Sequence, residues 1–168
     1  FIFMEYFIID EGKMWGTILA ILKRKAAEGV EVRVMYDGMC AFSTLPYNYP
    51  EMLEDIGIKS KMFSPLTPFV STHYNYRDHR KILVIDGKVA FSGGINLADE
   101  YINRIHPYGK WKDNVIMVKG EAVWSYTVMF LTHWNALRPS DEDFYKYQVK
   151  SRIRKQDGYI APYGETPL

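Results

Sequence analysis

The sequence has very little cysteine: Cys40 is the only one among 168 residues. A single cysteine excludes an internal disulfide and a CxxC metal site, and it is compatible with a reducing compartment. We expect its thiol to be buried rather than reactive. The histidines also lack any metal-ligand spacing such as H-E-x-x-H. We expect no metal and no other cofactor.

Long hydrophobic runs are absent as well. The most apolar early run, FIFMEYFII, is interrupted by Glu5 and is far shorter than the ~20 residues that a membrane-spanning helix needs. No signal peptide is visible in the sequence. We therefore expect the chain itself to be soluble and to have no transmembrane segment.

An excess of either charge is missing too, because 21 basic residues nearly balance 20 acidic ones and give a net charge of +1. Proteins that bind nucleic acid irrespective of its sequence are usually more basic, so this balance argues against a nucleic-acid partner. The rest of the composition, with 48% hydrophobic and 24% charged residues, is typical of one globular domain with a sizeable core.

Strand and helix patterns alternate along the chain and predict an α/β layered domain with a mixed central sheet flanked by helices. Residues 1–10 and 30–36 are predicted strands, and residues 12–28 between them a helix. Such a β-α-β unit places its strands parallel, with a right-handed crossover. Further on we expect a loop at 40–49, a short helix at 50–56, strands at 58–63, 74–85 and 115–118, and an apolar helix at 121–137.

The segment HRKILVIDGKVAFSGGIN contains the pattern H-x-K-x₄-D-x₆-G-G-x-N, which carries the strongest functional information in the chain. The pattern supplies a nucleophile or acid, a cation, a tight turn and an open seat for a phosphate. That combination indicates phosphodiester chemistry without a metal. The six positions are His79, Lys81, Asp86, Gly93, Gly94 and Asn96.

Strand geometry indicates how the first half of this pattern is displayed. Because successive side chains of a strand alternate between its faces, Asn75, Arg77, His79 and Lys81 share one face. His79 and Lys81 then stand roughly 7 Å apart, two strand rises, and a phosphate fits between them.

Asp86-Gly87 is typical of a two-residue type I′ hairpin turn, which needs positive φ at both residues. With such a turn, Ile85 pairs with Lys88 and the two halves of the motif converge on one face. The predicted register places Lys81 opposite Ser92, His79 opposite Gly94, and Arg77 opposite Asn96.

Three motif residues have expected roles on this register. Gly94 leaves room for a substrate oxygen beside the backbone, and Asn96 donates a hydrogen bond to that oxygen. Asp86 lies in the turn, so we expect it to support the motif by fixing the turn rather than by touching the substrate.

The pattern resembles the HKD motif of the phospholipase D superfamily. Flanking segments resemble, more narrowly, the first catalytic half of bacterial cardiolipin synthases, along nearly the whole chain from Phe3 to Leu168. The segments that carry this resemblance are EYFIID, VRVMYDG, NYRDHRKILVIDGKVAFSGGINLADEY, WKDN and YIAPYGETPL.

The resemblance implies a transferase that works through a covalent phosphohistidine. In the family, one motif histidine attacks phosphorus, and a second from another half protonates the leaving alcohol and later deprotonates the incoming one. His79 takes one of these roles, and a later carboxylate orients it: Asp113 in WKDN is the best match, ahead of Asp99 and Glu100. The candidate ligands of the phosphoryl oxygens are His79, Lys81, Ser92, Gly94 and Asn96.

The resemblance also implies the substrates and the location. The phosphatidyl group comes from phosphatidylglycerol, a second phosphatidylglycerol is the acceptor, and glycerol leaves. Full-length cardiolipin synthases act in phospholipid biosynthesis at the bacterial cell membrane and carry membrane helices before this point. We therefore expect this chain to be a fragment, with membrane association through segments outside it.

The chain departs from the family pattern in two ways. Gly93-Gly94 stands where many members have Gly-Ser, so Ser92 would have to supply the missing hydroxyl. There is also only one H-x-K, since His73, His106 and His133 each lack a lysine two residues later. We expect a second HKD half-domain, from the full-length chain or a homodimer partner, to complete the site, and the isolated chain to be inactive without it.

We divide the chain into a phospholipase D-like catalytic half-domain at 1–138 and a linker toward a second half at 139–168. A small basic cluster in the linker either meets anionic lipid headgroups or is simply solvated. Asp37, just past a predicted strand, lies either near the site entrance or in a structural cap, and His106 is the weakest acid candidate. The basic cluster consists of Lys150, Arg152, Arg154 and Lys155.

Two other functions stay open. Some superfamily members have one motif and build their site at a two-fold axis, so the chain is alternatively a homodimeric phospholipase D-type phosphodiesterase or nuclease. The third possibility is a non-catalytic domain that uses the fold to bind lipid or protein.

Overall fold

The computed structural model describes residues 1–65, 77–137, 139–150 and 158–164. These residues contain six strands and four α-helices, together with 3₁₀ helices at Asp99–Ile102 and Phe144–Tyr147. The strands are β1 Ile2–Tyr6, β2 Val32–Asp37, β3 Lys59–Phe63, β4 Ile82–Ile85, β5 Val89–Gly93 and β6 Val115–Lys119. The helices are α1 Lys13–Ala27, α2 Cys40–Ser43, α3 Tyr49–Glu54 and α4 Ala122–Leu137.

One mixed sheet organises the fold, with the strand order β3-β2-β1-β4-β5-β6. Strands β1, β2 and β3 run parallel, and β1 pairs with β2 from Ile2↔Val32 to Tyr6↔Tyr36. The other half of the sheet is antiparallel, as β4 pairs with β1 and β5, and β5 pairs with β6. The predicted α/β class, mixed sheet and parallel β-α-β unit are confirmed.

Helices cover both faces of the sheet because alternate strand residues bury opposite faces. Met4 and Val34 pack on the side of Trp15 and Leu22 of α1. On the other side Phe3, Met35 and Val84 pack against α4, whose Phe130 ring stacks on Phe3 with 4.8 Å between ring centroids. Burying one such side chain contributes about 1.5–3 kcal/mol to folding.

Several elements are shorter than predicted, or were not predicted. The first strand ends at Tyr6 rather than residue 10, and α2 occupies part of the predicted loop 40–49. Strand β4 begins only at Ile82, although 74–85 was predicted as one strand. Residues 77–81 lie outside the sheet ladder, and residues 74–76, including Asn75, lie outside the described residues.

The hairpin register differs from the prediction by one residue. Asp86 and Gly87 both have positive φ, as a type I′ turn requires, and the Lys88 amide donates to the Ile85 carbonyl oxygen over 3.0 Å. The ladder beyond the turn, however, pairs Ile85 with Val89 rather than with Lys88. The Asp86 amide donates to the carbonyl oxygen of Phe1 in the neighbouring chain segment, over 2.8 Å. A one-residue slip moves every side chain of a strand to the other face.

The slip moves Ser92 away from the predicted site. Ser92 pairs with Ile82, so the two side chains share a face, and Ile82 belongs to the core beneath α4. Lys81, the preceding residue, packs on the ring of Phe7 instead. The expected pairing of Lys81 with Ser92 is therefore wrong, and the same slip removes the predicted pairings of His79 with Gly94 and Arg77 with Asn96.

Part of the stretch predicted as a linker packs on the domain. Tyr147 is 5% exposed, and its ring lies 5.0 Å from the rings of both Phe1 and Phe3. The division into a half-domain and a linker stays a prediction. Of the basic cluster, Lys150 is exposed, whereas Arg152, Arg154 and Lys155 lie outside the described residues. Among the described residues, none of the helices has the length and apolar character that crossing a bilayer requires.

Candidate active site

The motif side chains His79 and Lys81 meet at one aromatic ring. The His79 ring centroid lies 4.9 Å from that of Phe7, and the Lys81 Nζ atom lies 5.3 Å from the same centroid. Lys81 is 5% exposed and donates a hydrogen bond to the His79 carbonyl oxygen, over 2.7 Å, while the His79 side chain faces solvent. The imidazole and the ammonium thus lie on one side of segment 77–81, in line with the predicted alternation.

The surroundings favour a neutral imidazole beside a charged ammonium. Partial burial, and then the charge of Lys81, lower the pKa of His79 below its usual 6.5. Burial also lowers the pKa of Lys81 to about 8, against the charges of Asp78 and Asp113. At neutral pH the histidine therefore presents a lone pair and the lysine remains mostly protonated, the combination needed to attack an anionic phosphodiester.

Asp113 lies at the site but contacts other groups than predicted. Its carboxylate accepts hydrogen bonds from the Trp111 indole, over 3.2 Å, and from the Asn114 amide, over 2.7 Å. Among the described residues no hydrogen bond joins Asp113 to His79. The charge of Asp113 does act on Lys81. The role of orienting His79 stays a prediction for Asp113.

Gly94 allows close packing against Asp113 rather than leaving free space beside the backbone. A Cβ atom at Gly94 would lie 2.5 Å from both carboxylate oxygens of Asp113. At Gly93 it would lie 2.5 Å from the carbonyl oxygen of Asn114. The glycine pair therefore lets β5 approach the segment that leads into β6. The expected room for a substrate oxygen at Gly94 is filled by Asp113.

Asn96 joins two parts of the site. It is 4% exposed, its Oδ1 atom accepts from the Ile8 amide over 3.0 Å, and its Nδ2 atom donates to the Tyr101 hydroxyl over 2.8 Å. An amide nitrogen carries two hydrogens, so one donor remains after the bond to Tyr101. Asn96 therefore fixes the chain after β1, and its role as a phosphate ligand stays a prediction.

Asp37 and Arg77 hold the start of the motif segment. Asp37 is fully buried, accepts from the Met39 and Asp78 amides over 2.9 and 3.0 Å, and lies 3.3 Å from an Arg77 guanidinium nitrogen. The Asp37 side chain therefore ties the end of β2 to the residue before His79. Of the two interpretations of Asp37, the structural cap fits these contacts.

The remaining candidates lie outside the cluster of site residues. Asp86 sits in the β4–β5 turn with a half-exposed side chain, as expected for a residue that shapes the turn. Asp99 caps α1 by accepting from the amides of residues 13 and 14. Glu100 lies in the 3₁₀ helix, and His106 is exposed. The Cys40 thiol is buried, as predicted, between the main chain of residues 7 and 9.

A buried polar cluster beneath the motif was not predicted. The Glu5 cluster, as we name it, consists of Glu5 of β1, Asp78 and Arg80 of the motif segment, and His133 of α4. The Glu5 Oε1 atom lies 2.9 Å from both Arg80 Nε and His133 Nδ1, and Asp78 Oδ1 lies 3.0 Å from Arg80 Nε. The sequence contained one signal for it, since Glu5 interrupts the apolar strand FIFMEYFII.

An exposed apolar strand forms the edge of the sheet on the site side. Val115, Ile116 and Met117 of β6 are each more than half exposed. Side chains on both faces of the strand are therefore exposed, and no other strand of the described residues pairs with its outer edge. Exposed apolar patches of this kind are typical of interaction surfaces.

Known proteins resemble this chain in sequence and in fold. Residues 1–134 match the family model for the cardiolipin synthase, PLD-like domain. An uncharacterized protein of Streptococcus mutans is 60% identical over the whole chain, and the cardiolipin synthase of Alkalihalophilus pseudofirmus is 43% identical over 96% of it. The chain spans 36% and 30% of the length of these two relatives, about a third.

A solved structure shares the fold. Nuc from Salmonella typhimurium, a phospholipase D family member, aligns with a TM-score of 0.54 and 16% identity, covering 80% of this chain and 77% of that one. At this identity the likeness concerns the fold.

Proposed function

The chain belongs to the cardiolipin synthase, PLD-like domain family, and on that premise we propose that it is one catalytic half of a phosphatidyltransferase. The observation that carries the proposal is the meeting of the His79 imidazole and the Lys81 ammonium at the Phe7 ring. The lowered pKa of His79 supports a nucleophile or base at neutral pH, and the buried ammonium supports binding of phosphoryl oxygens.

The proposed reaction begins with attack on the phosphorus of phosphatidylglycerol. With His79 as the nucleophile, its ring nitrogen forms a bond to phosphorus, and the bond from phosphorus to the glycerol oxygen breaks. A second motif histidine, in its protonated form, gives its proton to that oxygen, and glycerol leaves. Lys81 stabilises the charge on the phosphoryl oxygens. The phosphatidyl group then remains on the enzyme as a phosphohistidine.

The second half of the reaction reverses the roles at phosphorus. A hydroxyl of another phosphatidylglycerol attacks the phosphohistidine and passes its proton to the second histidine, now neutral. The bond from phosphorus to His79 breaks, which yields cardiolipin and regenerates both histidines. With the two histidines exchanged the chemistry is the same, and His79 is then the acid and base.

The second motif comes from another half in this proposal, since the sequence contains a single H-x-K. The uncovered β6 edge beside the site supports such a partner. Because both substrates are membrane lipids, we place the full-length protein at the bacterial cell membrane.

Complementation tests the proposal. We expect the chain, mixed with a separately produced half that carries a second HKD motif, to transfer labelled phosphatidyl groups between phosphatidylglycerol molecules in mixed micelles. His79→Ala should abolish this transfer, whereas the exposed His106→Ala serves as the matched control and should leave it unchanged. Equal activity of the His79→Ala and unaltered chains would refute the proposal.

The second candidate function is a homodimeric phosphodiesterase, and the single motif favours it. Two copies related by a two-fold axis beside the motif would bring two His79 side chains together. Light scattering at several concentrations and a DNA cleavage assay separate the two functions. A dimer that cleaves DNA favours the phosphodiesterase, and a monomer without nuclease activity favours the half-domain.

A further inference from the structure

The motif segment 77–81 lacks the support that a strand normally has. It lies outside the sheet ladder, so its position depends on contacts with side chains of other elements: the Asp78 amide donates to the Asp37 carboxylate, and the Arg80 guanidinium contacts Glu5. The side chains of Asp78 and Arg80 alternate with those of His79 and Lys81 and point to the opposite side of the segment, into the Glu5 cluster. The reactive side chains and the buried cluster are thus two faces of the same five residues.

We propose that the Glu5 cluster is the positioning device of the motif: Glu5 and His133 hold Asp78 and Arg80 and thereby aim His79 and Lys81 at the phosphate. The proposal rests on the proposed function for its catalytic consequence, and on the contacts of the cluster for its structural part. Glu5 and His133 act through the segment and do not touch the substrate.

The cluster contains more negative groups than its cations balance. Two carboxyl groups face one guanidinium, and Arg80 contacts both of them, at 2.9 Å for Glu5 and 3.0 Å for Asp78. The imidazole is neutral, because burial and then the charge of Arg80 lower the pKa of His133 to about 4. With both carboxyls ionised, the four residues of the cluster would carry a net charge of −1, which is costly in a protein interior; the Lys81 ammonium acts on Asp78 only from the other side of the segment.

One shared proton resolves this imbalance. Glu5 Oε2 and Asp78 Oδ2 are buried and have no hydrogen-bond partner among the described residues when both groups are carboxylates. A proton on Glu5 lets it donate to Asp78, and burial together with this neighbour raises the pKa of Glu5 well above its usual value. The cluster then contains neutral Glu5, neutral His133, and the pair of Asp78 with Arg80.

A metal ion is the other occupant that such a group suggests. Glu5, Asp78 and His133 each offer a ligand atom within 4.8 Å of the others. The guanidinium of Arg80 already lies against both carboxyls, so a cation there would meet a fixed positive charge. The arrangement favours a proton over a metal.

Two substitutions of Glu5 separate this proposal from a simple ion pair. Glu5→Gln keeps the size, the acceptor for Arg80 and His133, and a donor to Asp78, so it imitates the protonated acid. Glu5→Asp keeps the acid but withdraws it by one methylene, so it no longer reaches Arg80 and His133 together. A simple ion pair with Arg80 predicts the opposite ranking, with Glu5→Asp the milder change.

The first readout is the NMR titration of the His79 imidazole in the 168-residue chain, which needs no partner and no turnover. We expect Glu5→Gln to leave the midpoint and chemical shifts unchanged, and Glu5→Asp to move the midpoint toward that of a free histidine. The Glu5 side-chain carbon should show the shift of a protonated carboxyl at neutral pH. An ionised Glu5, or an unchanged His79 titration in Glu5→Asp, would overturn the proposal.

The second readout is transfer activity in the complemented enzyme. We expect Glu5→Gln to keep kcat, and Glu5→Asp to lower kcat about 10- to 100-fold with little change in KM, as misplacement of a reacting group does. Should Glu5→Asp fail to fold, Arg80→Lys replaces it, since it keeps the charge but loses the Nε–H group that contacts both carboxyls. Unchanged kcat in the folded variant, or equal damage in Glu5→Gln, would contradict the positioning role.

The two readouts separate a failure of the proposed function from a failure of the positioning role. If the unaltered chain catalyses no transfer, the proposed function fails, while the His79 titration still decides whether the cluster positions the histidine.

Discussion

Two buried polar clusters lie on the same face of the sheet, and they differ in how completely their hydrogen bonds are satisfied. The Arg33 cluster consists of Arg33, Glu31, Glu142 and Tyr147, and each guanidinium nitrogen of Arg33 donates to a partner, at distances from 2.6 to 3.0 Å. In the Glu5 cluster, by contrast, Arg80 Nη2 and His133 Nε2 have no hydrogen-bond partner among the described residues, even when protonated Glu5 donates to Asp78.

This difference separates structural support from functional positioning. A fully satisfied network stabilises a single arrangement, and the Arg33 cluster fastens the stretch around Tyr147 to β2. A partly satisfied network costs stability and is expected mainly where function requires it. The Glu5 cluster lies directly beneath the motif and fits that second description.

Removing Arg33 should have the largest effect, and that effect should be on stability. Arg33→Met removes the buried cation that Glu31 and Glu142 share, and breaking a buried ion pair of this kind costs about 3–5 kcal/mol. Urea unfolding followed by circular dichroism measures the loss. Transfer by the folded fraction should stay unchanged. A large fall in kcat with little loss of stability would contradict the contrast between the two clusters.

Removing the Lys81 ammonium should have the opposite effect: activity should fall while stability stays nearly unchanged. Lys81→Met should lower kcat about 10²- to 10³-fold, as the loss of one group that stabilises transition-state charge does, with little loss of stability, since a buried cation is replaced by an apolar chain. Steady-state kinetics of the complemented enzyme measures it. Lys88→Met, at an exposed turn lysine, is the matched control and should behave like the unaltered protein.

A substitution of Gly94 tests whether Asp113 packs directly against this position. In Gly94→Ala the new methyl group would lie 2.5 Å from the Asp113 carboxylate, and overpacking of this kind costs about 1–3 kcal/mol. Thermal unfolding measures this loss. Adding Asp113→Ala should recover most of the stability by removing the clash. If the double variant were no more stable than Gly94→Ala alone, the contact between residue 94 and Asp113 would not contribute to stability, contrary to the prediction.

The smallest expected effects are changes in folding stability with pH, and these changes have opposite signs for Glu31 and Glu5. Burial alone would raise the pKa of Glu31, but hydrogen bonds from Lys59 and Arg33 outweigh it and set the pKa to about 2. Its contribution, about 1–2 kcal/mol after allowance for partial exposure, is therefore present above pH 4.5 and lost as the pH falls toward 2. Glu5 has a raised pKa, so the stability it confers declines as the pH rises above 4.5.

Free energies of unfolding, measured as a function of pH, test the predicted pH dependence of both Glu31 and Glu5. Relative to the unaltered chain, Glu31→Gln should be less stable at neutral pH, with the difference vanishing in acid. Glu5→Gln should become more stable relative to the unaltered chain as the pH rises. Parallel pH profiles for the two variants would contradict the assigned protonation states.

Local patterns in the sequence predicted what depends on neighbouring residues. The β-α-β unit, the mixed sheet, α4 and the common side of His79 and Lys81 all follow from periodicity or from spacing within a few residues. The predicted hairpin register was wrong by one residue, and the Asp86 amide donates to the carbonyl oxygen of Phe1, a contact with a distant residue that the local turn pattern does not reveal.

The same limit explains what was missed at the site. The Glu5 cluster joins β1, the motif segment and α4, and no local pattern links these elements. Gly94 was expected to lie beside free space for a substrate oxygen. Its close contact with Asp113 depends on how β5 packs against the segment before β6, which the sequence does not show. The charge of Glu5 inside an apolar strand was the one visible sign of the cluster.

The most direct measurement is an NMR titration of the chain with glycerophosphoglycerol, the headgroup diester of phosphatidylglycerol. If His79 and Lys81 grip one phosphate, the signals of the His79 imidazole and the Lys81 ammonium should move together, with the same midpoint. Lys81→Met should weaken the His79 response, and Lys88→Met should not. Signals that stay unmoved, or a His79 response that is unchanged in Lys81→Met, would contradict a shared phosphoryl site.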